Sequence, residues 1–261
     1  MKVGRRSISF LPLFVGCFFL FLYVPIIVLI VFSFNASTMP YEWTGFTTQW
    51  YRQLFASKEA WYALNNSLIV AMTSVILSVT LSVLLVYYGS EKFSRFFPMF
   101  YGTLVVPEIV VSVGIVGFFS MFSVTLGLIT LVAGHTLLGL GYAVPIIHAR
   151  YCELEKHLTE ASSDLGATRT QTFFLLILPL LAPSLLAASL LIFVISLDDF
   201  LIAFFCSGAE TQTLPLYIFS VVRSGGSPMV NALSTIMLLV GSLLILLMAI
   251  LQARKVISFG D

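Results

Sequence analysis

Three acidic residues lie within long apolar segments of the chain: Glu108, Asp198 and Asp199. Carboxylates inside membrane segments are costly, so they are candidates for function. Ser196 precedes Asp199 by three residues and would share its face of a continuous helix. A path lined by carboxylates offers charge-assisted hydrogen bonds to ammonium groups, which predicts passage of a cationic solute. The same carboxylates could instead join helices by bonding to hydroxyl groups or to a partner chain.

The sequence lacks the patterns that enzymes of several classes require. It contains no G-x-x-x-x-G-K-[ST] phosphate loop, no H-E-x-x-H and no G-x-S-x-G. Asp198 and Asp199 cannot share a proton as an aspartyl dyad, because adjacent helical residues diverge by about 100°. We therefore predict no catalytic residues and no metal site. The three histidines and three cysteines are isolated in the sequence and do not have the spacing of metal ligands. They are His135, His148, His157, Cys17, Cys152 and Cys206. His135, in a helix interior, is interpreted as a hydrogen-bonded packing residue.

The composition indicates an all-α membrane protein, since 59 % of the 261 residues are hydrophobic and only 10 % are charged. About 20 apolar residues cross the hydrocarbon as a helix, which satisfies its own backbone in lipid. Six such runs predict a single transmembrane domain over 1–261. The runs cover approximately 9–34, 64–88, 98–120, 126–148, 181–204 and 232–252.

Basic residues between the runs predict the orientation. The first run, at roughly 25 residues, is longer than a signal-peptide core and is interpreted as an uncleaved helix. With both termini in the cytoplasm, ten basic residues fall inside and three outside. The inside set is Lys2, Arg5, Arg6, Lys92, Arg95, Arg150, Lys156, Arg169, Arg254 and Lys255; the outside set is Arg52, Lys58 and Arg223. A net charge of +1 argues against nucleic acid as a partner.

A polar segment of about 150–180 interrupts the apolar sequence on the predicted cytoplasmic side. Residues 153–165 favour a helix that ends at Gly166, where a left-handed conformation costs glycine little. Thr168 and Gln171 have the spacing of a capping box, which starts a second helix in a new direction. We call residues 153–178 the elbow. Its first helix carries an apolar stripe made of Leu154, Leu158, Ala161 and Leu165.

The first helix of the elbow is also acidic. Its carboxylates would be repelled by anionic lipid headgroups, so a partner protein suits this helix better than the membrane surface. These carboxylates belong to Glu153, Glu155, Glu160 and Asp164.

The elbow resembles the EAA loop of permease subunits in binding-protein-dependent ABC importers. That loop reads Glu-Ala-Ala, three residues, Gly, nine residues, Ile, one residue and Leu-Pro. The spacing is intact, and Ser162 for Ala and Leu176 for Ile are the two departures. The matching residues are Glu160, Ala161, Ser162, Gly166, Leu176, Leu178 and Pro179. In that family the loop forms a coupling helix seated in a groove of the cytosolic ATPase. The resemblance therefore implies that seven residues of the elbow and its end contact an ATPase: Glu160, Ala161, Ser162, Asp164, Gly166, Leu178 and Pro179.

Further segments look like the second permease subunit of spermidine/putrescine importers. They span nearly the whole chain and read YVPIIVLIVFSFN (23–35), WTGFTTQWY (43–51), NNSL (65–68), VVPEIV (105–110), SLDDF (196–200), TLPLYIFSVVRSGGSP (213–228) and VNALSTI (230–236). By this resemblance Trp43, Ser196, Asp198 and Asp199 are the expected substrate contacts beside Glu108. Trp43 could offer a cation–π face or act as an interfacial anchor.

The resemblance implies a type I ABC importer permease fold with six transmembrane helices and both termini cytoplasmic. The chain would be a subunit in a bacterial inner membrane. Its expected partners are a homologous second permease, two cytosolic ATPase subunits and a periplasmic polyamine-binding protein. ATP and Mg²⁺ would be bound by the ATPase, and no cofactor by this chain.

Two other interpretations of the same sequence stay open. A stand-alone secondary carrier or channel driven by an ion gradient could use the membrane carboxylates as cation sites. It predicts an inverted repeat within one chain, which the sequence does not display, and it leaves the elbow unexplained. A purely structural subunit would need no buried acids.

Overall fold

The structure is a computed structural model that describes residues 10–38, 42–93, 96–154 and 156–258. Lys2, Arg5, Arg6, Arg95 and Glu155 lie outside the described residues. Within the described ranges the chain forms twelve α-helices: α1 (Phe10–Phe32), α2 (Gln49–Ala56), α3 (Lys58–Phe93), α4 (Phe97–Gly102), α5 (Glu108–Met121), α6 (Leu128–Glu153), α7 (Lys156–Asp164), α8 (Arg169–Thr172), α9 (Leu178–Asp198), α10 (Leu201–Cys206), α11 (Leu214–Arg223) and α12 (Pro228–Ser258).

Five helical stretches among the described residues are long and apolar enough to cross a membrane. They are Phe14–Phe32, Lys58–Gly89, Leu128–Glu153, Arg169–Asp198 and Pro228–Leu246. Each overlaps one of the predicted apolar runs. The chain is therefore a multi-pass membrane protein whose spans are helical, as backbone hydrogen bonding in lipid requires.

The predicted span over 98–120 is wrong as a single helix. It divides into α4 and α5, with irregular backbone at 103–107 between them. Pro107 has no N–H to continue a helix and disfavours helical geometry at the residue before it. α5, with 14 residues, measures about 21 Å at about 1.5 Å per residue, which is shorter than the roughly 30 Å of hydrocarbon.

The predicted span over 181–204 is also displaced. The helix begins earlier, because α8, a π-helical turn at Phe173–Ile177 and α9 follow one another without interruption. It ends earlier as well, at Asp198, and the backbone of Asp199 is extended. A short polar side chain that bonds nearby backbone competes with helix continuation, and Asp199 does so here.

One compact unit consists of residues 1–57 and 221–240. In its described part, Asn35 organises the loop 33–57. The Nδ2 of Asn35 donates to the carbonyl of Glu42 at 2.6 Å, and its Oδ1 accepts from the backbone N–H of Thr44 at 3.1 Å. Trp50 donates its indole N–H to the carbonyl of Asn35 at 2.6 Å. These bonds join the irregular backbone around Asn35, Glu42 and Thr44 to the start of α2.

The second unit consists of residues 58–220 and 241–261, and α3, α6 and α9 pack together in it. Small and hydroxyl residues allow close approach of membrane helices. Ser78 on α3 donates to the carbonyl of Thr136 on α6 at 3.0 Å. A Cβ added at Gly139 would lie 2.9 Å from the Cβ of Ser78, so glycine is required there. The interior side chains include Val86, Val144, Ile147, Ile177, Leu181 and Ile192.

Candidate functional site

Helix ends in the second unit position the acidic residues. Glu108 is the first residue of α5, Asp198 is the last residue of α9, and Asp199 follows it. The short helix α10 comes next and packs against both α5 and α6. Residues far apart in the sequence thus meet where the chain leaves regular helix.

Asp199 is buried, at 6 % exposure, and caps α10. Its Oδ1 accepts a hydrogen bond from the backbone N–H of Ile202 at 2.9 Å. An aspartate in this position satisfies one of the N–H groups that a helix start leaves unpaired. The other end of α10 is also fixed, since Thr130 donates its hydroxyl to the carbonyl of Cys206 at 2.8 Å. The Asp199 side chain is therefore held rigidly.

The carboxyl groups of Glu108 and Asp199 are near enough to interact electrostatically. Glu108 is half-buried at the N-terminus of α5, where the helix dipole favours negative charge. Two carboxyl groups this close repel each other unless a cation or a shared proton lies between them. Their proximity therefore suits a site that a cation visits.

A cavity of about 210 Å³ adjoins Glu108 at the break between α4 and α5. Its lining contains one charged side chain and is otherwise mostly aliphatic. The lining residues are Thr103, Leu104, Val106, Glu108, Val111, Leu137, Leu138, Tyr142 and Ile195. Irregular backbone is tolerated at membrane depth where it lines a cavity. A small, narrow, partly apolar cation fits this lining better than an anion or a sugar does.

Asp198 and Ser196 differ from Asp199 in their surroundings. Asp198 is exposed, whereas Ser196 is buried at 6 % exposure. The expectation that Ser196 and Asp199 share a helix face is wrong, because α9 ends before Asp199. The Oγ of Ser196 instead lies 2.9 Å from Nδ1 of His135 on α6. His135 is buried and hydrogen-bonded, as the sequence predicts, but its link to Ser196 was not predicted.

Trp43 lies in the first unit, on the loop organised by Asn35. Its side chain is 49 % exposed, and its ring meets that of Phe32 edge-on at a centroid distance of 6.0 Å. A half-exposed indole is available for either use considered above, a cation–π contact or interfacial anchoring.

The glycine corner and the capping box of the elbow are confirmed. Gly166 has φ +81°, its N–H donates to the carbonyl of Ser163 at 2.9 Å, and the N–H of Ala167 donates to Ser162 at 3.1 Å. This is the hydrogen-bond pair of a Schellman motif. The backbone N–H of Thr168 donates to the Oε1 of Gln171 at 2.8 Å. The first helix begins at Lys156 rather than 153, because α6 continues to Glu153.

The first arm of the elbow, α7, is largely open to solvent. Glu160, Ala161 and Asp164 are exposed, and Leu165 is 89 % exposed. Three residues of the predicted apolar stripe, Leu158, Ala161 and Leu165, therefore lie on the surface, where another protein can cover them. The fourth, Leu154, instead follows α6 and packs against the core of the second unit.

The remaining residues of the motif connect this arm to the helix that follows. Ser162 is half-buried, with its Oγ 2.8 Å from the Oγ1 of Thr172. Leu178 packs against the core of the second unit, whereas Pro179 is exposed in the first turn of α9.

The second arm of the elbow, α8, is fixed to α3 by contacts that sequence reasoning missed. The guanidinium of Arg169 lies over the rings of Tyr87 and Tyr88, at 5.6 and 5.4 Å from their centroids. Tyr87 donates its hydroxyl to the carbonyl of Arg169 at 2.9 Å, and its ring lies 4.9 Å from that of Phe173. The two adjacent tyrosines near the end of the predicted span 64–88 were the sequence signal that could have indicated these contacts.

Comparison with known proteins gives relatives along most of the chain. It is 35 % identical over 245 residues to the spermidine/putrescine transport system permease protein PotC of Escherichia coli K12, covering 92 % of each chain. It is 34 % identical over 231 residues to the putrescine transport system permease protein PotI of the same organism, covering 84 % of this chain and 82 % of the relative. No protein-family model matches the chain.

Solved structures with the same fold are ABC importers. A chain of a bacterial ABC transporter involved in alginate import has a TM-score of 0.74 at 16 % identity, covering 94 % of each chain. A chain of the inward-facing MetNI methionine ABC transporter has a TM-score of 0.57 at 16 % identity, covering 76 % of this chain and 98 % of that one. The mostly helical fold is that of an ABC importer permease.

Proposed function

Because the chain belongs to the family of bacterial transport-system permease proteins that includes PotC and PotI, we propose that it is the membrane-spanning permease subunit of an ATP-driven polyamine importer. Spermidine or putrescine would reach it from a periplasmic binding protein. The observation that carries the substrate class is the proximity of the Glu108 and Asp199 carboxyl groups beside a small cavity with mostly aliphatic walls. A polyamine combines the two features that this arrangement matches, ammonium groups and a slim methylene chain.

The substrate path uses charge and shape together. Glu108 and Asp199 attract an ammonium group, whose positive charge also relieves their mutual repulsion. The aliphatic walls of the cavity accept the methylene chain. Asp198, exposed at the end of α9, and Ser196 would offer further oxygen acceptors, and Trp43 a cation–π face or an anchor. A charged hydrogen bond here contributes about 1.5–3 kcal/mol, or roughly ten- to a hundredfold in rate.

The elbow is the proposed contact with the ATPase. Its first arm presents Glu160, Ala161, Asp164 and Gly166 on an exposed surface, while its second arm is fixed to α3. Closure of two ATPase subunits on ATP and Mg²⁺ would push the exposed arm and move the helices behind it. Alternating access then follows from moving rigid helices about the path. This chain binds no cofactor in the proposal and performs no catalysis.

The proposed assembly contains a homologous second permease, two ATPase subunits and a periplasmic binding protein in a bacterial inner membrane. Both termini are cytoplasmic, and the chain crosses six times in a single transmembrane domain. The third crossing is then made by α4 and α5 together, because neither is long enough alone.

Uptake assays test the function. Cells that carry the complete importer should accumulate radiolabelled putrescine or spermidine, and Glu108→Gln should lower the maximal rate roughly ten- to a hundredfold at equal membrane abundance. The loss should appear in the maximal rate because the binding protein sets the apparent affinity. Uptake that persists without the ATPase and stops with a protonophore would identify an ion-coupled carrier instead.

Cysteine labelling tests the orientation. In a variant with Cys17, Cys152 and Cys206 replaced by Ser, a membrane-impermeant reagent should reach cysteines introduced in 36–60 and 207–229. It should not reach those in 90–96 and 152–172. Labelling of the elbow from outside in cells with only the outer membrane permeabilised would contradict the orientation and the ATPase contact with it.

A further inference from the structure

His135 on α6 is a polar side chain at the centre of the second unit that the proposed path does not use. It is 2 % exposed, and its Nδ1 lies 2.9 Å from the Oγ of Ser196 on α9. Its other ring nitrogen, Nε2, is buried and has no hydrogen-bond partner within the described part of the chain. An unpaired polar atom in the interior is costly, so we expect this histidine to have a role besides packing.

The hydroxyl of Ser196 bonds differently from those of Ser112 and Ser184 in the same unit. Ser112 donates to the carbonyl of Glu108, and Ser184 donates to that of Leu181, each at 2.8 Å and within its own helix. Ser196 instead pairs with a side chain on another helix. A hydroxyl has one hydrogen and two lone pairs, so the partner of that hydrogen decides what the oxygen can still offer.

The two possible hydrogen-bond directions have opposite consequences for a cation. If Ser196 donates to Nδ1, both lone pairs of its oxygen remain available to the N–H groups of an ammonium ion. If Nδ1 carries a hydrogen and donates to Ser196, the serine hydrogen points outward and opposes the cation. A neutral imidazole with its hydrogen on Nε2 gives the first arrangement.

We propose that His135 is a positioning residue for polyamine transport: its Nδ1 accepts the hydroxyl hydrogen of Ser196 and so presents the serine oxygen as an acceptor for a substrate ammonium group. This inference rests on the proposed function, because it needs a cation at Ser196. The serine lies in the last turn of α9, just before Asp198 and Asp199. His135 acts through Ser196 and touches no substrate itself.

Substitutions at His135 separate this role from packing. Asparagine can place an acceptor near the position of Nδ1, whereas glutamine places its amide near that of Nε2. Both keep a polar side chain in the interior. Ser78→Ala is the matched control, because Ser78 also makes a buried bond between helices, from α3 to the carbonyl of Thr136.

The measurement is the maximal rate of radiolabelled putrescine uptake by the complete importer, at equal membrane abundance. We expect His135→Gln to lower the rate roughly fivefold, the equivalent of about one hydrogen bond, and His135→Asn to retain most of it. Ser196→Ala should lower the rate as much as His135→Gln. The double variant should be no slower than Ser196→Ala, because one residue acts through the other. Ser78→Ala should stay within about twofold of wild type.

Several outcomes would overturn the inference. Equal rates for the Asn and Gln variants would show that the position of the acceptor is unimportant. A double variant whose loss equals the product of the single losses would show that the residues act independently. If Ser196→Ala transports normally while Glu108→Gln does not, the role of His135 is refuted and the proposed function stands. If Ser196→Ala and Glu108→Gln both transport normally, the proposed substrate path falls as well.

Discussion

The two ends of the helical stretch Arg169–Asp198 are held by different kinds of contact. At the Arg169 end, aromatic rings and a guanidinium pack broadly against α3, around Tyr87, Tyr88 and Phe173. At the Asp198 end, the polar contacts are directional hydrogen bonds: Ser196 with His135, and Asp199 with the first turn of α10. The first arrangement holds two helices together over a broad surface, whereas the second is sensitive to which atoms donate and accept.

This difference suits a helix that connects a partner surface to a substrate path. Stacked rings and cation–π contacts tolerate small shifts while keeping two helices together. Hydrogen bonds weaken steeply with poor geometry. A movement applied at the Arg169 end would therefore displace the whole helical stretch as a rigid body. At the Asp198 end, that displacement would change the geometry of the hydrogen bonds.

The largest expected effect comes from removing the charge of Asp199, at the Asp198 end, without unfolding the chain. Asp199→Asn removes the charge but keeps an oxygen that can accept from the N–H of Ile202, so the cap of α10 survives. Uptake of putrescine should fall roughly ten- to a hundredfold at normal membrane abundance. Asp199→Ala should in addition destabilise the chain by about 1 kcal/mol. Wild-type uptake by Asp199→Asn would assign the residue to capping alone.

The next effect concerns the partner surface beyond the Arg169 end. Gly166→Val should impose a strain of about 1–2 kcal/mol, because φ is +81° there. We expect roughly five- to thirtyfold weaker docking of the ATPase, measured by co-purification and by substrate-stimulated ATP hydrolysis.

Gly241→Val serves as the control for that substitution. Gly241 lies inside α12, and a Cβ added there would meet nothing within 4 Å. Undiminished docking by Gly166→Val would place the ATPase contact elsewhere.

A smaller effect is expected from Asp198, the exposed neighbour of Asp199. Its carboxylate is exposed in the single chain, and an exposed charge interaction contributes at most about 1 kcal/mol. Asp198→Asn should therefore lower uptake by no more than roughly fivefold. A loss as large as that of Asp199→Asn would show that exposure in the single chain does not describe the assembled path.

The smallest expected effect concerns a single hydrogen bond at the Arg169 end. Tyr87→Phe removes the hydroxyl that donates to the carbonyl of Arg169 and keeps the stacked ring. The free energy of unfolding should fall by about 0.5–1.5 kcal/mol, measured as a lower unfolding midpoint in detergent, while uptake stays near wild type. Tyr88→Phe should change the midpoint less. A large loss of uptake in Tyr87→Phe would mean that this end also requires a directional bond.

Features coded by near neighbours could be predicted from the sequence. The glycine corner at Gly166 and the capping box of Thr168 and Gln171 depend on residues within one turn, and both are present. Helix breaks were missed, because a run of apolar residues outweighs a single Pro107 or Asp199. In each case one backbone or side-chain hydrogen bond decides the local path of the chain.

Pairs formed across helices could not be predicted. Glu108 meets Asp199, and His135 meets Ser196, only after the helices have packed in a particular rotation. Hydrophobic patterning assigns membrane segments but leaves that rotation undetermined when a helix is apolar on all sides. The acids could therefore be named as candidates, while their partners required the three-dimensional structure.

The π-helical turn at Phe173–Ile177 gives the stretch Arg169–Asp198 an unusual genetic property. Such a turn accommodates one residue more than an α-helical path needs. Loss of a single codon within it would therefore restore a plain α-helix and leave the segments before and after it in nearly the same relative orientation. The aromatic contacts of Arg169 and the pairing of Ser196 with His135 would both be preserved. The same loss in the plain α-helical part of the stretch would rotate everything beyond it by about 100° and turn Ser196 away from His135. The π-helical turn is therefore a place where evolution can change the length of this helix without changing the direction of its far end.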